Sequence, residues 1–305
     1  TSDFRLPTSD LRFIMAHKTA LARTAPHRDF GRRGFRGFAP MPLSAAAKPI
    51  VTDGNGLSAG MQRIPVKDGT LPAYVAGPQG AAKRPVVIVV PEVWGLHEYT
   101  RDVCRRLAKE GYVAIAPDFF ARAGDPAALT EWPDIAKIVA TVSHVQAMGD
   151  VGSTLAMIAR GELGGADASR IGITGFCWGG LITWMACTEF SQLKAGVAWY
   201  GRVAQPAAPN PMFTDGRPFP VDVAAQLKAP VLGLYAENDQ SIPLGDVEKM
   251  RAALKAAGKS GSSIHVYPGT QHGFHADYRE VYDEAAAEDG WARMNRFFAD
   301  NGVAP

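Results

Sequence analysis

The feature that most narrows the fold is a strand-like stretch at 170–174 that runs straight into Gly175-Phe176-Cys177-Trp178-Gly179-Gly180 and then into an apolar helical pattern. A strand that becomes a helix within so few residues needs small residues at 175 and 179, because the chain must turn sharply and pack closely on itself. The remainder repeats the alternation. Residues 85–90 are a continuous β-branched run suited to a strand buried on both faces. The helical pattern at 98–110 carries Val103, Cys104 and Leu107 on one stripe and stops at Gly111. Strand patterns at 112–116, 195–200, 231–235 and 264–267 interleave with helical patterns at 145–160, 181–189, 245–257 and 281–298. Strands separated by helices predict an α/β fold with a mostly parallel central sheet and helices on both faces. Two alternating runs, 61–66 and 71–76, flank Asp68-Gly69 and read as a hairpin.

The pattern begins after Ala47, so the chain divides into a leader, 1–47, and one α/β domain, 48–305. Within the leader, Arg32-Arg33-Gly34-Phe35 resembles a twin-arginine export signal and Ala45-Ala46-Ala47 has the small residues of a cleavage site. Export would make the protein periplasmic; a merely disordered leader would leave it cytoplasmic. The 32 basic and 30 acidic residues nearly cancel. No field of one sign is available to hold nucleic acid or an anionic membrane, which leaves a small molecule as the expected partner. No run approaches the roughly 20 apolar residues of a membrane-spanning helix, so the mature domain is expected to be soluble, as a monomer or weak homodimer. Three cysteines, Cys104, Cys177 and Cys187, are too few and too unpatterned for a disulfide scaffold or a zinc cluster. Neither metal nor organic cofactor is expected.

Cys177 sits where an α/β-hydrolase presents its nucleophile, with cysteine in place of the usual serine. Cys104 and Cys187 fall inside helical patterns and read as packing residues. In this fold an acid and then a histidine follow the nucleophile along the chain. Asp239 follows the strand at 231–235, with Glu237 as competitor and a turn residue as its bland alternative. His272 follows the strand at 264–267, with His275 as rival. A carboxylate would fix the imidazole tautomer, and the imidazole would shuttle the proton. After the buried run 85–90 comes Pro91-Glu92-Val93-Trp94-Gly95. The main-chain N–H groups of Val93 and Trp178 are the expected oxyanion donors. Glu92 beside them would repel developing negative charge unless it has a role of its own.

These residues resemble the dienelactone hydrolase family, also called carboxymethylenebutenolidases, over about residues 60–300. The resemblance rests on Pro91-Glu92-Val93-Trp94-Gly95, Ala116-Pro117-Asp118-Phe119-Phe120-Ala121-Arg122, the cysteine elbow, Asp239 and His272-Gly273-Phe274. It implies an ester or lactone substrate, and a Glu92 that keeps the resting thiol neutral and takes its proton when substrate enters. The resemblance also implies an arginine four residues after the catalytic histidine to grip a substrate carboxylate. Here that position is Ala276, and after Arg122 no second arginine occurs before Arg160. Neutral esters are therefore expected to compete well with carboxylate-bearing lactones. Arg122, His275 and Arg279 are the groups that could reach the substrate from elsewhere, with Trp94, Tyr200 and Phe213 as pocket aromatics. The segment 202–221 reads as an insertion able to cover the site. Two rival readings remain: a thiol redox protein in which Cys187 resolves an oxidised Cys177, and a binding module with a silent triad.

Overall fold

The computed structural model describes residues 49–305. The Arg32-Arg33 pair and Ala45-Ala46-Ala47 lie outside the described residues. The chain opens with a hairpin of β1 (Leu57–Val66) and β2 (Gly69–Pro78), followed by β3 (Arg84–Val90), α1 (Glu98–Lys109) and β4 (Val113–Pro117). Then come α2 (Trp132–Ala140), α3 (His144–Ala159), β5 (Ala166–Phe176), α4 (Trp178–Glu189) and β6 (Leu193–Trp199). A short α5 (Pro220–Val223), β7 (Val231–Ala236), α6 (Leu244–Ala256), β8 (Ser263–Tyr267) and α7 (Glu284–Asp300) complete the domain. The eight strands of the described residues form one sheet in the order β1-β2-β4-β3-β5-β6-β7-β8. The hairpin joins antiparallel, and β4, β3, β5, β6, β7 and β8 run parallel. A parallel sheet covered on both faces explains why Val86 to Val90 are wholly buried.

Several boundaries differ from those predicted, three of them with a visible cause, and one helix was not predicted. β5 starts at Ala166 because its first residue pairs with Arg84 of β3. α4 starts at Trp178, so Gly179 and Gly180 belong to its first turn. α7 starts at Glu284 because the Asp283 side chain accepts the Ala286 N–H as an N-cap. α2 was not legible as a helix: it is nine residues long with proline near its start. Chain order and spatial order part company at β3, which lies between β4 and β5. Ligands of open α/β sheets bind beyond the carboxyl ends of strands at such a switch point. Glu92 and Cys177 follow β3 and β5, neighbouring strands at that point.

Candidate active site

Cys177 joins β5 to α4 with φ 56° and ψ −114°. A non-glycine residue in that region costs about 1–3 kcal/mol and persists only where its surroundings impose it. Those surroundings are visible. A Cβ on Gly175 would lie 2.2 Å from the Gly179 carbonyl oxygen, and one on Gly179 would lie 2.2 Å from the Val90 oxygen. The Cys177 N–H donates to Trp199 O at 3.0 Å, and its carbonyl accepts from Gly180 N and Leu181 N to begin α4. Three close contacts thus hold one cysteine at the mouth of the sheet, partly exposed.

His272 and Asp239 follow β8 and β7, and His272 Nδ1 lies 2.7 Å from Asp239 Oδ2. The other Asp239 oxygen accepts from Ser241 N and Ile242 N at 2.7 and 2.9 Å. Asp239 is therefore a turn residue and an imidazole partner at once. Its competitor Glu237 is exposed and accepts the Gly269 N–H instead. Burial opposes charge on His272, but the negative charge of Cys177 and the hydrogen bond to Asp239 push its pKa up to about 10. The arrangement favours an imidazolium paired with a thiolate when the thiol proton has left.

Glu92 is wholly buried. Its Oε2 accepts the Tyr278 hydroxyl at 2.6 Å, while Oε1 has no hydrogen-bond partner among the described residues. Burial raises its pKa; the charge of Arg279, the Tyr278 hydrogen bond and His272 act the other way. A buried carboxyl with raised proton affinity is a candidate proton acceptor. Val93 lines the cavity beside Cys177. Trp178 is the first residue of α4, where helix N–H groups have no intrahelical partner and can serve an oxyanion.

The cavity beside Cys177 holds about 410 Å³. Trp94, Tyr200, Phe213 and Arg279 line it, as the sequence suggested, and so do Trp132, Met212 and Arg202, which the sequence did not single out. Arg202 lies three residues beyond Trp199, the last residue of β6, so its place beyond a strand's carboxyl end was the available signal. Tyr200 also has positive φ, 37°, and its ring meets His272 edge-on at 5.1 Å. Two guanidinium groups lie over the Phe213 ring, Arg202 at 5.8 Å and Arg217 at 5.6 Å from its centre. Arg202, Asn210, Met212 and Phe213 of the segment 202–221 line the cavity.

Two expectations are corrected. Arg122 is held by Asp68 and Asp150 in paired hydrogen bonds of 2.7–2.9 Å, tying the β1–β2 turn to α3, and does not line the cavity. His275 is buried behind the site, where Nδ1 meets the Tyr99 hydroxyl at 2.6 Å and the ring stacks on Trp291. A third expectation shifts with them, because Arg279 and Arg202 bring two guanidinium groups to a pocket expected to lack them. Cys104 and Cys187 are buried and free. Cys187 lies ten residues along α4 from Cys177, roughly 15 Å, beyond the about 7 Å a disulfide allows. Among the described residues no group of three or more His, Cys, Asp or Glu is placed to hold a metal ion.

A parallel sheet with this strand order and a nucleophile-elbow turn between β5 and α4 defines the α/β-hydrolase fold. The dienelactone hydrolase family model matches residues 71–301. The chain belongs to the dienelactone hydrolase family and is a dienelactone hydrolase-like enzyme. It is 46% identical over 298 residues to a Methylorubrum extorquens protein described as "Putative carboxymethylenebutenolidase", covering 97% of this chain and 98% of that one. An Escherichia coli K12 protein of the same description is 44% identical over 268 residues, covering 87% and 96%. The crystal structure of a "Putative Dienelactone Hydrolase" from Klebsiella pneumoniae is 46% identical, with TM-score 0.74 over 80% of this chain and 98% of that one.

Proposed function

We propose that the chain hydrolyses an ester or lactone of a small molecule through a thioester on Cys177. Glu92 takes the thiol proton as substrate enters. The sulfur attacks the acyl carbon, and the Val93 and Trp178 N–H groups hold the oxygen that gains the displaced pair. Collapse breaks the carbon–oxygen bond, and the leaving alkoxide takes a proton from the His272 imidazolium. Neutral His272 then removes a proton from water, which attacks the thioester. The thiolate leaves and recovers its proton from Glu92, while the product acid ionises. Asp239 orients the imidazole throughout.

The observation that carries this reading is a cysteine forced to positive φ between β5 and α4, beside a histidine that is hydrogen-bonded to a buried aspartate. Arg202 and Arg279 support a substrate bearing a carboxylate next to an apolar body, since Trp94, Trp132, Leu181, Met212, Phe213 and Ile242 also line the wall. Hydrolysis of an activated aryl ester by wild type and Cys177→Ala tests the reading. The variant should lose about three orders of magnitude or more. Retention of more than about a tenth of the rate would remove Cys177 from the reaction.

A further inference from the structure

The loop 272–279 carries the base at one end and the neighbours of Glu92 at the other. α1 clamps it from behind. Arg106 pairs with Asp277, Tyr99 hydrogen-bonds His275 at 2.6 Å, and the Tyr99 ring packs 5.2 Å from that of Tyr278. Tyr278 is therefore set by the body of the protein, independently of substrate. The groups facing Glu92 are Tyr278, Arg279 and His272 from this loop, Tyr200 from beyond β6 and Tyr99 from α1. Of these, Tyr278 makes the 2.6 Å hydrogen bond, to Oε2. The Tyr200 hydroxyl also lowers the proton affinity of Glu92 as a weaker donor, short of a well-formed hydrogen bond, and Oε1 has no well-formed partner among the described residues.

We propose that Tyr278 is the positioning residue of Glu92: its hydroxyl occupies Oε2, fixes the carboxyl plane and leaves Oε1 as the oxygen that takes the thiol proton. In that step the S–H bond breaks, an O–H bond forms at Oε1, and the electron pair stays on sulfur. A donated hydrogen bond stabilises the carboxylate more than the acid, so Tyr278 also restrains the proton affinity that burial raises. Burial pushes the Tyr278 hydroxyl's own ionisation well above its usual value, so it stays a donor at working pH. The sequence resemblance offered no tyrosine for this role.

The proposal rests on Cys177 as nucleophile with Glu92 as first acceptor, and its test is kept separate from ester turnover. The test is the rate at which iodoacetamide alkylates Cys177 in the unliganded protein, followed by peptide mass from pH 6 to 9. Tyr278→Phe frees Glu92 to accept the proton more readily, so alkylation at pH 7 should speed about tenfold, the equivalent of one pH unit. With Glu92→Gln already present, Tyr278→Phe should change nothing. Replacing Tyr278 with 3-fluorotyrosine, a stronger donor of nearly the same shape, should slow alkylation, and it serves if the phenylalanine variant does not fold. Equal rates for wild type, Tyr278→Phe and the fluorotyrosine protein would overturn the proposal. So would a Tyr278→Phe effect of the same size with Gln at 92, which would make Tyr278 a prop for the loop. Ester turnover by Cys177→Ala would instead remove the hydrolytic reading and leave the Tyr278–Glu92 coupling to be decided by alkylation.

Discussion

At the elbow, a Cβ on Gly175 or Gly179 would meet a main-chain oxygen at 2.2 Å. The cavity wall also includes Arg202, Met212, Phe213 and Arg279, larger side chains outside the sheet, with guanidinium groups 5.6 and 5.8 Å from the Phe213 ring centre. Main chain cannot step aside from an added methyl, whereas a long side chain can choose another rotamer. The comparison teaches that the fold fixes where bonds break, while the loops decide which molecule is brought there.

The first way to break this comparison is to add one methyl group at the elbow. Gly179→Ala should abolish ester hydrolysis and destabilise the domain by about 3 kcal/mol or more, in the manner of a severely overpacked site. Thermal melting and the aryl-ester rate measure both. A variant within a few degrees of wild type and fully active would show that the elbow bends more than its contacts allow.

The second concerns charge at the elbow. His272 should titrate near pH 10, followed by NMR of the ring. Its proton is held there against burial, first by the negative charge of Cys177 and then by Asp239. Cys177→Ala and Asp239→Asn should each therefore move the midpoint down toward the ordinary 6.5, the imidazole releasing its proton at lower pH. A wild-type midpoint already near 6.5 would show that Cys177 and Asp239 do not hold the ring proton.

The smallest effects belong to the wall. Arg202→Ala and Arg279→Ala should each lower kcat/KM for a carboxylate-bearing lactone about ten- to hundredfold, since a charge-assisted hydrogen bond contributes about 1.5–3 kcal/mol. Neutral aryl esters should change less than about threefold. Arg122→Ala is the control: it should leave this preference untouched and cost about 1–3 kcal/mol of stability, because Asp150 is left buried without its partner. Equal losses on neutral and anionic substrates would take the two arginines out of substrate selection.

The same contrast explains what the sequence made legible. Strand, turn and helix around Cys177 are local, and their glycines are required by main-chain contact, so a six-residue motif reveals them. Asp239 and His272 were found because chain order is tied to strand ends in this fold. Arg202, Trp132 and Tyr278 escaped because their roles depend on where distant segments land. Tyr278 meets Glu92 across 186 residues of chain. Arg122 and His275 misled for the same reason. An arginine near a family motif cannot reveal that two aspartates 54 and 28 residues away already hold it. The histidine three residues after His272 faces α1 and the Trp291 ring of α7.

The central claim is that the acyl group passes through the sulfur of Cys177. Rapid mixing of the wild type with a slowly deacylating aryl ester, followed by an acid quench and peptide mass analysis, tests it most directly. The account predicts an acyl adduct on the peptide containing Cys177, cleaved by hydroxylamine as a thioester is, and rising in step with the first burst of released phenol. Steady turnover with no adduct on that peptide, or with the acyl group on another side chain, would contradict it.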